Sequence, residues 1–154
     1  MNKRQSVIYS FFAHPIVNIP PVINSGVYLA CEGYPNLIIG YKTEETLKTE
    51  FLNYGARIFR IELFSRRIPI GSIRKLLSVL EFVWICVRII KRKNPAYVIL
   101  FNEIAFIIGR FVRTTNQIHW VLEFPENQTK TLAESIIKRL SYKSWKHAGA
   151  LIFP

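Results

Sequence analysis

Residues 91–123 read KRKNPAYVILFNEIAFIIGRFVRTTNQIHWVLE, and this order of charge and hydrophobicity predicts a parallel α/β sheet. A basic helix end stops at Pro95, and Ala96 to Phe101 is continuously apolar, as expected of a strand buried on both faces. A helical pattern opens at Asn102 and Glu103, and a second strand follows it. Ligands of such sheets bind where the strands end, so polar residues at those positions become candidates for function.

The same alternation covers the rest of the chain. Six strands are predicted, over Ser6 to Ala13, Asn36 to Tyr41, Arg57 to Leu63, Ala96 to Phe101, Gln117 to Phe124 and Ala150 to Phe153. Five helices are predicted, over Val22 to Tyr34, Glu44 to Tyr54, Ile70 to Lys93, Glu103 to Arg113 and Glu126 to His147. We therefore expect a doubly wound, mostly parallel Rossmann-like sheet of about six strands, in the order 3-2-1-4-5-6, with helices on both faces.

The 154 residues contain no linker, repeat or low-complexity tract, which predicts a single domain over residues 1–154. The pattern reaches its last strand at Ala150 with no helix after it, so we expect an N-terminal piece of a longer protein. Cys31 and Cys86 have neither metal-ligand nor C-x-x-C spacing, and this favours a reduced, cytoplasmic setting.

The positive charge is concentrated in one part of the chain. The formal net charge is +11, and between Arg57 and Lys93 ten basic residues against two acidic ones account for +8. Such a balance predicts a polyanionic partner, which is a nucleic acid, an anionic lipid surface or a phosphate-bearing substrate.

The predicted helix over Ile70 to Lys93 has two apolar stripes. We expect the first stripe to cover the sheet; it contains Ile73, Leu76, Leu77, Leu80, Trp84 and Val87. The second stripe contains Val79, Phe82, Cys86 and Ile89. Basic residues close the helix, at Arg88, Lys91, Arg92 and Lys93. An apolar face with basic edges is typical of peripheral membrane proteins, so these four residues are predicted membrane contacts. The alternative is a face that a second domain covers.

Four polar residues lie at predicted strand ends. Glu123 closes an apolar strand, where a carboxylate needs water, a partner or a ligand, and it is the candidate catalytic residue. His14, Asn102 and Glu103 are candidate substrate-binding residues. A structural role remains open for each of the four; His14, for example, can cap a turn, and Glu103 suits the first turn of a helix.

Several well-known motifs are absent. The chain has no G-x-G-x-x-G, no G-x-x-x-x-G-K-[ST], no G-x-S-x-G and no Cys/His metal cluster. Dinucleotide-dependent oxidoreductases and P-loop NTPases are thereby excluded, and we predict neither a metal site nor a cofactor.

Three segments carry a resemblance to a known family. They are Tyr28 to Gly40 (YLACEGYPNLIIG), Arg88 to Leu100 with its KNPAYVI core, and Trp145 to Pro154 (WKHAGALIFP). Together they resemble the N-terminal, acceptor-binding half of bacterial GT-B glycosyltransferases of the "group 1", or family 4-like, kind. Ala96 and Gly149 replace the aspartates that are usual in the second and third segments.

The resemblance implies an enzyme that moves a sugar from a nucleotide-sugar donor to a glycan or lipid-linked acceptor in cell-surface polysaccharide synthesis. The donor would bind to a C-terminal domain that these residues do not contain, so this chain alone would be inactive. The basic helix agrees with family members that act at the membrane, and we expect a cytoplasmic protein peripheral to its inner face.

Two other classes of protein stay open. One is a non-catalytic membrane-anchoring subunit of a split glycosyltransferase. The other is a basic nucleic-acid-binding α/β module, although Phe82 and Trp84 lie among aliphatic residues rather than between lysines. No nucleic-acid partner is expected.

Overall fold

The computed structural model describes residues 8–12, 20–42, 49–69, 71–112, 116–122, 132–144 and 148–152. Its strands are β1 (Ile8–Phe12), β2 (Asn36–Tyr41), β3 (Glu50–Asn53), β4 (Ala56–Ile61), β5 (Tyr97–Phe101), β6 (Gln117–Trp120) and β7 (Ala150–Ile152). Its helices are α1 (Pro20–Cys31), α2 (Gly71–Lys93), α3 (Asn102–Phe111) and α4 (Leu132–Ser144). A short 3-10 helix over Phe64–Arg67, called the 64–67 turn below, precedes α2.

The strands form one sheet in the order β3-β4-β2-β1-β5-β6-β7. Every neighbouring pair is parallel except β3 and β4. The predicted doubly wound order is confirmed for the six parallel strands, with β1 and β5 side by side at the centre where the direction of winding reverses.

The predicted helix over Glu44 to Tyr54 is wrong where the structure describes it. Glu50–Asn53 is a strand that pairs antiparallel with β4, and residues 43–48 lie outside the described residues. Tyr54 and Gly55 join the two strands with φ of 45° and 86°. Two successive residues with positive φ are typical of a tight hairpin turn, so Gly55 belongs to this turn and does not end the helix that was predicted to stop at Tyr54.

Each face of the sheet has its own core, because successive side chains of a strand point to opposite sides. Val98 and Leu100 pack with α2, α3 and α4, whereas Ile99 and Phe101 pack with α1. The continuously apolar sequence of β5 is therefore explained by burial on both faces.

The core-facing side of α2 was also predicted wrongly. The buried residues are Val79, Phe82, Val83, Cys86 and Ile90. Four members of the stripe expected to cover the sheet are exposed instead: Ile73 (49%), Leu77 (37%), Leu80 (51%) and Trp84 (61%). We call these four residues the exposed stripe. Both sides of the helix are apolar, so the spacing of apolar residues does not show which side faces the sheet. The buried side carries the small side chains of Val79, Val83 and Cys86, which allow the helix to pack closely against the sheet.

Candidate functional site

A cavity of 280 Å³ lies at the carboxyl edge of the sheet. It opens between the end of β2, the 64–67 turn, the first turns of α2 and the start of α3. The cationic pocket, as we call it, has the basic residues Arg66, Arg74 and Lys75, the hydroxyl residues Tyr41 and Ser78, and the apolar residues Val79, Phe82 and Ile104. Ligands of open α/β sheets bind at this edge.

Tyr41 joins the apolar and basic sides of the pocket. Its ring meets Phe82 edge-on, with centroids 6.0 Å apart and planes at 78°. The Arg66 guanidinium carbon lies 4.9 Å from the centre of the Tyr41 ring, a cation–π distance. Burial raises the pKa of Tyr41, although the positive charges of Arg66 and Lys75 act against this rise. The phenol therefore stays protonated at neutral pH and can donate a hydrogen bond.

The 64–67 turn is fastened to α2 by Glu81. Its carboxylate accepts hydrogen bonds from the backbone N–H of Phe64 at 2.9 Å and of Ser65 at 2.8 Å, and a third from the Ser65 hydroxyl. Burial acts to raise the pKa of Glu81, but the bonds from Ser65 and Phe64 outweigh it and the pKa lies below its ordinary value. The ionised carboxylate thus fixes the backbone that carries Arg66.

The pocket has a strong excess of positive charge. Arg66, Arg74 and Lys75 line it, and no acidic residue lines it among the residues that the structure describes. Arg66 donates a hydrogen bond from Nη1 to the Lys42 carbonyl oxygen at 3.4 Å, and its side chain is also hydrogen-bonded to Tyr41. Within the described part of the chain, Arg74 is exposed and takes part in neither an ion pair nor a side-chain hydrogen bond. Arg66 and Arg74 can therefore turn N–H donors toward an anion.

Asn102, a predicted substrate-binding residue, links the ends of two parallel strands. It has φ of 62°, and its Oδ1 accepts a hydrogen bond from the Leu122 backbone N–H at 3.1 Å. The bond holds the carboxyl ends of β5 and β6 together. Part of the side chain's capacity is thus used within the protein, and contact with substrate stays a prediction.

Glu103, the next predicted residue, faces α4 and does not line the cationic pocket. Its Oε1 is buried without a hydrogen-bond partner among the described residues. Burial raises the pKa of this carboxyl, while the positive charge of Lys138 acts in the opposite direction. Burial, together with the charge of Glu103, also raises the pKa of Tyr142 on α4. A carboxyl group that is partly buried and lacks enough hydrogen bonds or positive charge to offset the loss of water is often found at functional sites.

The other two predicted residues, His14 and Glu123, lie outside the described residues, and their roles stay predictions. In contrast, sequence analysis singled out none of Tyr41, Arg66, Arg74 and Lys75. A signal was present, because Arg66 follows the third predicted strand and Arg74 lies in the first turns of the next helix. Both positions belong to the carboxyl edge of the sheet, and both contribute to the local charge of +8.

The predicted membrane contacts lie at the opposite end of α2. Arg88, Lys91, Arg92 and Lys93 are all exposed there, and Arg88 places its guanidinium carbon 5.5 Å from the centre of the Trp84 ring. A helix that connects two parallel strands runs antiparallel to them, so this basic end lies at the amino edge of the sheet. None of the described helices has the length and hydrophobicity needed to cross a membrane. The described residues also contain no cluster of three or more His, Cys, Asp or Glu suited to a metal ion.

Comparison with known proteins supports the fold from an independent direction. No protein-family model and no curated protein matches the sequence. Among solved structures, the chain is similar to sucrose-phosphate synthase from Thermosynechococcus elongatus, with a TM-score of 0.72 and 13% sequence identity. The match covers 95% of this chain and 41% of that enzyme. The chain therefore has a Rossmann-like fold similar to part of that enzyme, and it spans about two fifths of the enzyme's length.

Proposed function

We propose that this chain is the acceptor-binding half of a GT-B glycosyltransferase, which moves a sugar from a nucleotide-sugar to a glycan or lipid-linked acceptor in cell-surface glycan synthesis. The observation that carries the proposal is the position of the cationic pocket. It lies at the carboxyl edge of a glycosyltransferase-like sheet, one strand from the point where the winding reverses. A shared fold alone does not identify a reaction, but a formed cavity at this position supports a ligand-binding role.

The nucleotide-sugar binds elsewhere in this proposal, on a second domain of the same polypeptide or on a partner. The cavity of 280 Å³ is near the lower limit of about 300 Å³ for small-molecule sites, which suits one part of an acceptor better than a whole nucleotide-sugar. The sequence also lacks the glycine-rich loop with which Rossmann-like domains hold a pyrophosphate.

Calorimetry and NMR on the 154-residue chain test whether it binds the acceptor and leaves the nucleotide-sugar to another domain or partner. UDP- and GDP-sugars are expected to bind no more tightly than about 1 mM, near −4 kcal/mol. Glycan acceptors are expected to shift the resonances of Tyr41 and Ile104 in the pocket, while Tyr28 on the far side of the sheet stays unchanged. A micromolar dissociation constant for a nucleotide-sugar would contradict the proposal.

We further propose that the protein works at the cytoplasmic face of the membrane as a peripheral protein. The exposed stripe runs along α2 and is followed by the four basic residues at the end of the helix, with the Arg88 guanidinium beside the Trp84 ring. Anionic headgroups attract the cations, and burial of Leu80 and Trp84 in the interface removes apolar area from water.

The same surface favours one alternative, a non-catalytic anchoring subunit of a split glycosyltransferase. In that case the pocket would be dispensable for sugar transfer and only the surface of α2 would be needed. Activity of the assembled enzyme separates the two: Arg74→Gln is expected to impair transfer if the chain binds acceptor, and to leave it unchanged if the chain is only an anchor.

A further inference from the structure

We propose that the cationic pocket binds a phosphate group carried by the acceptor. This inference rests on the proposed acceptor-binding function and names the chemical class of acceptor. Three observations support it: the charge of the lining residues, the way in which Arg66 is held, and the apolar floor beside the charges.

The charge favours an anion with more than one negative charge. Arg66, Arg74 and Lys75 line a cavity of 280 Å³, and the described residues around it supply no carboxylate to balance them. A carboxylate ligand would neutralise one of these charges. A phosphate monoester carries between about −1.5 and −2 at neutral pH and presents three acceptor oxygens, so it matches both the charge and the number of donors.

The donors are also suited to phosphate in geometry. A guanidinium group presents paired N–H donors that fit two phosphate oxygens at once. Arg66 uses Nη1 for the carbonyl oxygen of Lys42, while its planar group stacks on Tyr41. A side-chain hydrogen bond also joins Arg66 to Tyr41. These two contacts use only part of the N–H donors of the guanidinium group, so others can reach a ligand. The protonated phenol of Tyr41 adds a further donor.

Arg66 is positioned before any ligand arrives. Glu81 holds the backbone of the 64–67 turn, and the hydroxyls of Ser65 and Ser78 are hydrogen-bonded at 3.0 Å, which joins the turn to the pocket wall. A fixed arginine loses less side-chain freedom on binding than a mobile one, and this preorganisation favours affinity.

The floor of the pocket suits the rest of such a ligand. Phe82 and Val79 are buried beneath the cations, and Ile104 closes the side next to α3. A phosphate bound at the basic rim would direct the attached sugar or lipid carbon toward this apolar surface. Phosphate is the shared chemistry of both kinds of acceptor, a soluble sugar phosphate and a lipid-linked phosphate.

NMR titration of the 154-residue chain tests the proposal with a hexose 6-phosphate, the same hexose without phosphate, and inorganic pyrophosphate. We expect both phosphate compounds to shift Tyr41 and Ile104 and the hexose 6-phosphate to bind at least about tenfold more tightly than the plain hexose. Arg74→Gln should weaken phosphate binding about tenfold. Arg92→Gln is the matched control, because it removes one exposed arginine of the same helix outside the pocket, and we expect less than a twofold change.

A second variant, Lys75→Gln, should weaken phosphate binding in the same way, and the melting temperatures of all three variants report whether they are folded. Equal losses in Arg74→Gln and Arg92→Gln would overturn the pocket as the site, since binding would then follow net charge alone. Binding of the plain hexose as tightly as its phosphate would overturn this inference and leave the acceptor-binding function standing. No shift in the pocket with any glycan or sugar phosphate would overturn both.

Vesicles distinguish the two sources of phosphate. If the phosphate belongs to a lipid, phosphatidic acid vesicles should compete with pyrophosphate for the pocket, and Arg74→Gln should abolish this competition. If it belongs to a soluble acceptor, the vesicles should leave pyrophosphate binding unchanged. Either result supports phosphate recognition and identifies its source, provided that Arg74→Gln weakens the binding of pyrophosphate itself.

Discussion

The carboxylate of Glu81 accepts hydrogen bonds from both the backbone N–H and the side-chain hydroxyl of Ser65, a residue 16 positions earlier in the chain. One side chain of α2 thereby fixes the turn that brings Arg66 to the cationic pocket. The contact gives a structural role to an acidic residue within the most basic part of the sequence.

Glu81→Ala is expected to lower the free energy of unfolding by about 1.5 kcal/mol, because two backbone N–H groups and one hydroxyl lose a charged acceptor. Glu62→Ala is the matched control: Glu62 forms an exposed ion pair with Arg67 at 3.1 Å, and such pairs contribute less than about 1 kcal/mol. Urea denaturation measures both variants. Equal losses would show that Glu81 does not fasten the turn.

The same contact should depend on pH. The pKa of Glu81 is lower in the folded protein than in the unfolded chain, so its contribution is present above the ordinary glutamate pKa of about 4.3 and is lost as pH falls through the lower, folded-state pKa. The stability difference between wild type and Glu81→Gln should therefore be largest near neutral pH and shrink in acid. A difference that stays constant from pH 7 to pH 3 would contradict the prediction.

Glu103 should behave in the opposite way. Burial raises its pKa, so the folded protein holds this proton more tightly than the unfolded chain, and ionisation at higher pH costs stability. Glu103→Gln is expected to melt at a higher temperature than wild type at pH 7, with the gap closing as pH falls toward the ordinary pKa of about 4.3. Thermal melts at pH 4 and pH 7 check this. A less stable variant at pH 7 would mean that the ionised carboxylate has a favourable partner.

Gly109 on α3 is expected to tolerate no side chain. A Cβ at this position would lie 2.6 Å from Gln117 Oε1 and 2.9 Å from His119 Nε2, and both side chains are buried. Gly109→Ala should therefore lower the free energy of unfolding by about 1–3 kcal/mol. Gly71→Ala is the control, because a Cβ there would meet no atom of the described residues within 4 Å. Chemical denaturation of the two variants should show a loss in Gly109→Ala only.

The surface of α2 should bind anionic vesicles at low salt. Changing Arg88, Lys91, Arg92 and Lys93 together to glutamine should abolish sedimentation with phosphatidylglycerol vesicles, since each basic residue contributes about 1 kcal/mol near such a surface and salt screens the attraction. Trp84→Ser should weaken binding as well. Tyr28→Ser is its control, because Tyr28 is 65% exposed on α1, which covers the other face of the sheet. Equal sedimentation of all variants would exclude α2 as the contact.

The fold was predictable from the sequence where the local hydrophobic pattern of a segment matches the burial of its residues in the structure. The apolar run of β5 and the Pro95 that precedes it defined the central strand within one residue. The hairpin of β3 and β4 was missed because Gly55 suits both a helix end and a turn with positive φ, and only pairing with β4 distinguishes them. The orientation of α2 was missed because both of its sides are apolar, so the choice depends on how closely Val83 and Cys86 fit the sheet.

The candidate site was less predictable, since its members come from four separate elements. Tyr41 ends a strand, Arg66 lies in a turn, Arg74 lies on α2, and Ile104 begins α3. Only tertiary packing brings these residues together, whereas the sequence pattern identifies each strand end separately. Asn102 was found in this way, but its bond to Leu122 depends on the pairing of β5 with β6, which no single segment reveals.

The first two turns of α2 contribute to two surfaces at once. Ile73 and Leu77 belong to the exposed stripe, and Arg74, Lys75 and Ser78, which lie between or beside them in sequence, line the cationic pocket. An α-helix with its side chains is about 10 Å across, so a bilayer that contacts the stripe would lie within roughly that distance of the pocket opening. An acceptor anchored in such a bilayer could then reach the pocket from headgroup depth, with its lipid chain still in the membrane.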